Sequence, residues 1–377
     1  MMRSSGLLLM AVVVPGVLSA QNSIYGTRGI GFPGRAEGAR SIALGGGAAL
    51  FDAGSALNPA LAAAFTEVSV GASSGTTFRG YTAVNVDVSG LQETRFPFTY
   101  LGGGVGRSQF SYQVSLATYT ERTFRLATAD TVLVGGTMLG VSDTVLSDGG
   151  IVDVRGAVGW RTSPKLNLGA AFHVLAGSSR IAATRRFEND ALQRFQDEDD
   201  LSFSGSGFSA GVLWSVRPAI RLAAAARINN ALTSRLGDGA SQSITMPVSL
   251  AGGVAFTFSP AFRWMTTAQW RAWSRSDGDL VSTGSRAFDT WIVGSGIELG
   301  GQGGRFPLRV GVRYAQIPFS HNTEQPTEWN FSLGTGTPFA SNRAAIDVAV
   351  ERFQRDGASA RERGWYVMVG ITITPSR

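Results

Sequence analysis

Phe306-Pro-Leu-Arg-Val-Gly-Val-Arg-Tyr314 alternates without a break. Its even positions are all apolar or aromatic, and its odd positions place Arg309 and Arg313 on the opposite side. Side chains of a strand point to alternate faces, so such a segment has one apolar and one polar surface. The same rule recurs along the chain. In Leu166-Asn-Leu-Gly-Ala-Ala-Phe-His-Val174 the even set is Leu, Leu, Ala, Phe and Val, and the odd set is Asn, Gly, Ala and His. Trp329-Asn-Phe-Ser-Leu-Gly-Thr335 and Trp365-Tyr-Val-Met-Val-Gly-Ile-Thr-Ile-Thr374 alternate with the odd positions apolar. Helical spacing is sustained in none of these windows.

A weak internal repeat marks the reversals between strands. Trp160-Arg-Thr-Ser-Pro164-Lys-Leu-Asn-Leu168, Trp214-Ser-Val-Arg-Pro218-Ala-Ile-Arg-Leu222 and Phe256-Thr-Phe-Ser-Pro260-Ala-Phe-Arg-Trp264 share one design. An aromatic closes a strand, proline sets a short turn, and alternation resumes. Longer polar stretches separate these tight turns: 77–94, 125–147, 185–200, 235–241, 276–285, 321–326 and 354–360. Short turns at one end and long loops at the other are the layout of outer-membrane barrels, with the short side periplasmic. Counted between these breaks, the alternating segments give about fourteen strands, the even number a single-chain barrel requires. The expected fold is therefore an all-β transmembrane antiparallel barrel.

Composition agrees. Glycine accounts for 49 of 377 residues, charged residues for 16% and apolar residues for 44%. So few charges suit one lipid-facing surface and a lightly charged lumen better than a soluble surface. A soluble sandwich or propeller would also alternate. The aromatics at strand ends (Trp160, Trp214, Trp264, Trp329, Trp365) and the Gly, Ser and Thr on the polar faces weigh against it. The net charge of +6 is spread along the strands, with no basic patch interleaved with aromatics, so nucleic acid is not an expected partner. There is no cysteine, which excludes disulfides and thiolate metal sites. Residues 1–20 read as a cleaved export signal, with Arg3, an apolar core from Leu7 to Val14 and the small-residue site Val17-Leu-Ser-Ala20. The apolar run is too short to span a bilayer as a helix. The expected location is the bacterial outer membrane.

Between signal and strands lies Arg40-Ser-Ile-Ala-Leu-Gly-Gly-Gly-Ala-Ala-Leu-Phe-Asp-Ala-Gly-Ser-Ala-Leu-Asn-Pro-Ala-Leu61. This small-residue stretch is a poor strand and a poor exposed helix. It reads as a plug inside the barrel, which divides the chain into a signal (1–20), a periplasmic-side hatch (21–66) and a barrel (67–377). Gly45, Gly46, Gly47, Asp52, Asn58, Pro59 and Ala60 are its candidate gate residues. Glycine lowers barriers to rearrangement, and Asn58-Pro59 sets a turn. A static filler is the alternative.

The chain resembles the FadL/TodX family of outer-membrane transporters for hydrophobic compounds. The resemblance rests on Gly45-Gly46-Gly47-Ala48, Asp52-Ala53-Gly54-Ser55-Ala56 and Asn58-Pro59-Ala60-Leu61. Toward the other end it rests on Asn330-Phe-Ser-Leu-Gly-Thr-Gly-Thr-Pro-Phe339, Ala345-Ile-Asp347-Val-Ala-Val-Glu351 and Gly370-Ile-Thr-Ile-Thr374. It implies a monomeric fourteen-stranded barrel with an N-terminal hatch. The implied ligands, long-chain fatty acids or aromatic hydrocarbons, enter from outside and leave sideways through the wall. The chain departs from that pattern in two ways. It ends in Thr374-Pro-Ser-Arg377 rather than in an aromatic, and 108–126 holds no Gly or Pro to kink an early strand for a lateral exit.

The alternation assigns Asp153, Arg155, His173, Arg221, Arg227, Arg263, Gln269, Arg271, Arg309, Arg313, Asp347 and Glu351 to the lumen. Arg155, Arg263, Arg271, Arg309 and Arg313 are the candidate ligand-binding residues, because a guanidinium can grip a carboxylate at two points. The competing reading is an internal ion-pair lattice with Asp153, Asp347 and Glu351 as partners. Enzymatic readings are disfavoured. The chain has 2 histidines, and no Gly-x-Ser-x-Gly elbow precedes a helix. His173 reads as a lumen residue with an ordinary hydrogen bond. No cofactor or metal site is expected. The leading function is passive uptake of a hydrophobic small molecule gated by the plug. The alternatives are a PorV-like barrel binding a secreted protein through 125–147 and 185–200, and a purely structural barrel.

Overall fold

The computed structural model describes residues 23–83, 86–104, 108–189, 192–281, 284–300 and 306–375; the expected export signal lies outside the described residues. The alternating segments form one closed antiparallel barrel of 14 strands. They are β1 (Ser69–Ala83), β2 (Val86–Gly104), β3 (Phe110–Glu121, continuing as Phe124–Val134), β4 (Thr137–Ser163) and β5 (Leu166–Phe187). There follow β6 (Phe195–Arg217), β7 (Ile220–Asn229, continuing as Leu232–Leu236), β8 (Ser241–Ile244, continuing as Ser249–Ser259) and β9 (Phe262–Arg271). The last five are β10 (Thr290–Leu299), β11 (Leu308–Gln316), β12 (Thr327–Phe339), β13 (Ala344–Gly357) and β14 (Ala360–Ile373). Pairing of β14 with β1, from Val70↔Ile373 to Ala83↔Ala360, closes the ring. A closed ring leaves no terminal strand edge in lipid.

The outward face is apolar. On β12 the exposed residues Trp329, Phe331, Leu333 and Phe339 share one side, while Asn330 and Ser332 are buried on the other. From Trp329 to Phe339 is ten positions along a strand. At a rise of about 3.4 Å per residue and a tilt of about 40° this is a band about 25 Å tall, the height of a bilayer core crossed by a barrel. Aromatic contacts sit at the end with the proline turns: Phe110 stacks on Trp160 at 5.9 Å and Phe256 on Trp264 at 5.4 Å. Trp291, Trp329 and Trp365 lie toward the other end and are 52%, 48% and 50% exposed.

The proline turns are tight, as expected: Ser163↔Leu166, Arg217↔Ile220 and Ser259↔Phe262 each close a hairpin. Several expected long loops are instead strands that outrun the membrane. Residues 77–83 and 86–94 continue β1 and β2 to the pair Ala83↔Val86, and 354–360 is the hairpin Gly357↔Ala360. Residues 125–147 form the hairpin of β3 and β4, which ends at Val134↔Thr137. Their polarity marks strands leaving the lipid, where both faces meet water; alternation there no longer reports an apolar face. The expected loop 276–285 begins as short helical turns (Trp273–Ser276, then Asp277–Leu280).

Residues 23–66 lie in the lumen. They carry the short helices Ile24–Thr27, Ala39–Ala43 and Pro59–Ala64 and the two-residue strand Phe32–Pro33. Ile30, Ile42, Leu44, Leu50 and Leu61 are all at most 1% exposed.

Candidate functional site

Two devices fit the N-terminal segment to the wall. The first is close backbone contact. A Cβ on Gly211 of β6 would overlap Asn58 and Pro59, and one on Gly169 of β5 would overlap Pro59 and Ala60. The lumen-facing glycines of the strands are therefore seats for the segment. Gly45 and Gly46 adopt φ of +60° and +78°, conformations that L side chains rarely take, where the segment turns beside β11. Thr267 of β9 donates to Gly47 O at 2.9 Å. Asn58 caps the Pro59–Ala64 helix by accepting from Ala60 N at 3.0 Å. Its amide donates to Leu50 O at 3.3 Å and to Val212 O of the wall at 3.2 Å. Asp52 accepts from Gly54 N at 3.1 Å. Asp52 also lines a wide recess of about 1040 Å³ at the proline-turn end, together with Arg263, Arg309 and Asp347.

The second device is charge. Arg40 grips Glu298 at two points, and Arg35 holds both oxygens of Glu351 at 2.7 and 2.9 Å. Around the wall runs a chain of alternating charge, with members on β11, β12, β13, β14, β1 and β2. Arg313 meets Glu328 (2.5 Å), Glu328 meets Arg355 (2.5 Å), and Arg355 meets Glu362 (3.0 Å). Glu362 meets Arg79 (3.4 Å), Arg79 meets Glu93 (2.8 Å), and Glu93 meets Arg95. Opposite neighbours on both sides offset the desolvation that an isolated buried charge would suffer.

The five candidate arginines all face the lumen, but they do not converge. Arg309 pairs with Glu298 (2.9 Å) and Asp347 (2.5 Å), Arg263 pairs with Glu298 (3.6 Å), and Arg313 belongs to the chain above. Arg271 donates to Gln269 at 3.1 Å, and Arg155 to Gln113 at 3.2 Å. Of the expected acidic partners, Asp347 pairs with Arg309, Glu351 with Arg35 of the segment, and Asp153 with Arg227 at 2.6 Å. Glu93, Glu298, Glu328 and Glu362 were not among the expected partners. Glu328 sits one position before Trp329 in the alternation, so carrying the parity outward finds it.

One defect interrupts the wall. β2 pairs with β3 from Gly104↔Ser111 to Phe98↔Ala117 and no further. Next to this point β2 holds Pro97, which has no N–H to donate. β3 bulges between Thr118 and Thr120 and breaks after Glu121. The sequence showed no kink here; the bulge forms without Gly or Pro because its partner β4 supplies Gly149 (φ +136°) and Gly150 beside it. The abandoned edge of β3 is taken by the N-terminal segment: Phe32↔Glu121 and Pro33↔Thr120 pair, and Gly34 N donates to Tyr119 O at 2.9 Å. Arg95 of β2 reaches across to Thr123 Oγ1 at 2.7 Å.

Behind this closure is a cavity of about 120 Å³ whose lining mixes Phe32, Pro33, Pro97, Trp273, Ile317 and Phe353 with charged side chains of both signs, among them Arg35, Arg95, Arg355, Glu93, Glu121 and Glu351. An apolar cluster covers its far side. It includes Ile30, Leu280 and Phe319, with Trp273 edge-on to Phe319 at 5.0 Å. A second cavity, of about 110 Å³, shares Pro33 to Arg35 and extends to Asp153, His173 and Ser209. Among the described residues no group of acidic or histidine side chains is arranged to hold a metal.

The sequence model of a family described as BamG matches residues 1–257. No curated protein matches the sequence. Among solved structures, a FadL homologue from Pseudomonas aeruginosa superposes with a TM-score of 0.62 at 14% identity, covering 91% of this chain and 99% of that one. The CymD monoaromatic hydrocarbon channel gives 0.60 at 15% identity over 91% and 98%. The toluene transporter TbuX of Ralstonia pickettii gives 0.57 at 14% identity over 91% and 99%. At these identities the likeness shows a common fold.

Proposed function

The chain belongs to the BamG family, and from its FadL-like outer-membrane barrel we propose that it passes a small hydrophobic molecule sideways through its own wall. The observation that carries this reading is the exchange of partners on β3. The strand leaves β2 at Phe98↔Ala117 and pairs with Phe32–Pro33 of the N-terminal segment instead. Where it covers the gap, the segment is joined to β3 by two pairs, so this stretch can withdraw without opening the barrel ladder; in this reading it is the gate and the β2–β3 gap the exit. The cavity behind it measures about 120 Å³. By volume alone, since a cavity of about 150 Å³ holds one benzene ring, the space fits a single ring or a short chain; most of the charged side chains in its lining are turned to one another in ion pairs. A long-chain fatty acid would require the segment to move further. Residues 1–20 act as the export signal in this reading.

The test is a lock. Gly34 and Tyr119 form the hydrogen-bonded pair, so Pro33 and Thr120 are the neighbouring non-hydrogen-bonded pair, whose side chains lie closest. In this cysteine-free chain, Pro33→Cys with Thr120→Cys gives one disulfide. Uptake of labelled toluene by cells carrying the variant should fall to the empty-vector level when oxidised and return on reduction. Uptake unaffected by oxidation, or equal to empty vector throughout, sinks the reading.

A second reading, a barrel that binds an exported protein, draws on one observation. Beyond the membrane, among the described residues, β3 has β4 as its ladder partner, from Phe124↔Ser147 to Val134↔Thr137. The opposite edge of this stretch is where a strand from a partner would add. Crosslinking from that edge in intact cells would separate the two.

A further inference from the structure

Asp153, His173 and Ser209 sit on three consecutive strands, β4, β5 and β6, and all face the lumen. His173 Nδ1 lies 3.0 Å from Asp153 Oδ1, and His173 Nε2 lies 2.8 Å from Ser209 Oγ. The three are 4%, 1% and 8% exposed and line the cavity of about 110 Å³ behind Pro33 to Arg35. The tautomer follows from the partners. Asp153 is ion-paired with Arg227 at 2.6 Å and accepts only, so Nδ1 carries the proton and Nε2 is left as the acceptor for the Ser209 hydroxyl. That is the geometry of a serine nucleophile with its general base and the carboxylate that orients the base.

A hydrogen-bond net could exist for packing alone, but two features go beyond that. The net ends on a hydroxyl that borders a cavity rather than on a backbone carbonyl. Arg227, the cross-strand neighbour of Ser209, lines the same cavity and keeps a buried Nη2 with no hydrogen-bond partner among the described residues. Arg227 balances Asp153, and Arg271, which lines the same cavity and donates to Gln269, adds a positive charge beside them. A neutral ester gains little there, whereas the oxyanion formed on attack would be stabilised. Preference for the transition state over the ground state is what accelerates a reaction.

We propose that Ser209 is a catalytic nucleophile toward small carboxylic esters that reach the lumen cavity, with His173 as its base and Asp153 as a positioning residue. Ser209 Oγ bonds to the ester carbonyl carbon and its proton passes to His173 Nε2. The carbon–oxygen bond to the leaving group breaks, and His173 returns the proton to the departing alkoxide. Water then attacks the acyl carbon, gives a proton to His173, and releases the carboxylic acid as the Oγ–carbon bond breaks and Ser209 recovers its proton. The cavity volume limits the acyl group to a few carbons or one ring.

The experiment uses the full barrel, exported and purified folded in detergent. An alkyl fluorophosphonate should form an adduct on Ser209, located by mass spectrometry, with loss of fluoride. The adduct should disappear in Ser209→Ala, and its rate should fall at least about 100-fold in His173→Gln, the usual scale of general-base assistance. Because the chain has 0 cysteines, Ser209→Cys places a single thiol at the site. Its alkylation by iodoacetamide should be faster than that of a free thiol near neutral pH, and the excess should vanish in Ser209→Cys with His173→Gln. Turnover of p-nitrophenyl acetate by the parent, absent in Ser209→Ala, completes the expected set. A folded barrel whose Ser209 takes no adduct, or labels equally with and without His173, overturns the proposal. A Ser209→Cys thiol that reacts no faster than a free one does the same.

Discussion

Arg40 and Glu298 form a two-point ion pair across the lumen, Nε to Oε2 and Nη2 to Oε1, each at 3.0 Å. One partner belongs to the N-terminal segment and the other to the wall, yet they are not equal members. Glu298 also accepts from Arg309 at 2.9 Å and lies 3.6 Å from Arg263, so it holds three guanidiniums. Glu298→Ala would leave all three short of a partner and should destabilise the folded barrel by about 3–5 kcal/mol. Arg40→Ala leaves Glu298 with two partners and should cost much less while loosening the segment. Urea unfolding in lipid vesicles measures the first effect, and protease cleavage of the N-terminal segment in the folded barrel the second. Equal destabilisation by both substitutions would contradict the hub role of Glu298.

The glycine seats give a second prediction. A side chain at Gly211 cannot share space with Asn58 and Pro59. Gly211→Leu should therefore expel the Pro59–Ala64 helix while the strand keeps its ladder. With Ala62→Cys as the single thiol, at a position 0% exposed in the parent, maleimide labelling should rise at least tenfold once Leu occupies position 211. If the thiol stays protected in a folded barrel, the segment is not seated on this glycine.

Much of this was legible from alternation alone. Phe306 to Tyr314 predicted the lumen positions of Arg309 and Arg313, and the three proline turns fell where the aromatics end. Two kinds of feature were not legible. Strands that leave the membrane lose their apolar face, so 77–94 looks like loop although 77–83 and 86–94 form a ladder. Relations between strands depend on register, which alternation does not supply. Asp153 and His173 could be assigned to the lumen one at a time, but their meeting with Ser209 requires Arg155↔His173 and His173↔Gly207 to be known together. The bulge at Tyr119 was hidden for a similar reason: the glycines that permit it are on the neighbouring strand.

Acid should loosen one surface loop first. Asp277, between β9 and β10, has its carboxyl held below the ordinary range by a hydrogen bond from Arg286 and another from Ala287 N–H. A depressed value in the folded state means that this contribution is fully present above the unfolded-state value and is lost as pH falls through the folded one. Amide exchange of residues 273–287, corrected for intrinsic rates, should show lower protection at pH 3 than at pH 7. Asp277→Asn should lower protection at pH 7 and remove most of the pH dependence. The group is half-buried in a surface loop and the effect therefore local, so the protection of β12 should not change with it. Loss of protection in both regions together would assign the acid response to the barrel instead.

The lipid-facing assignment makes the last prediction, and it depends on depth. Leu333 lies on the outward face of β12 between Trp329 and Phe339 and is 53% exposed. Leu333→Arg puts a charge near the bilayer midplane and should cost about 2–4 kcal/mol, whereas Phe339→Arg, at the rim, should cost about 0–1 kcal/mol. A soluble β-sandwich with the same surface would show neither the large value nor the gradient, because water would solvate both charges. Urea unfolding in vesicles of defined thickness reads both numbers. Thinner bilayers should shrink the difference by bringing the interface closer to Leu333. Equal costs at the two positions would remove this face of β12 from the membrane.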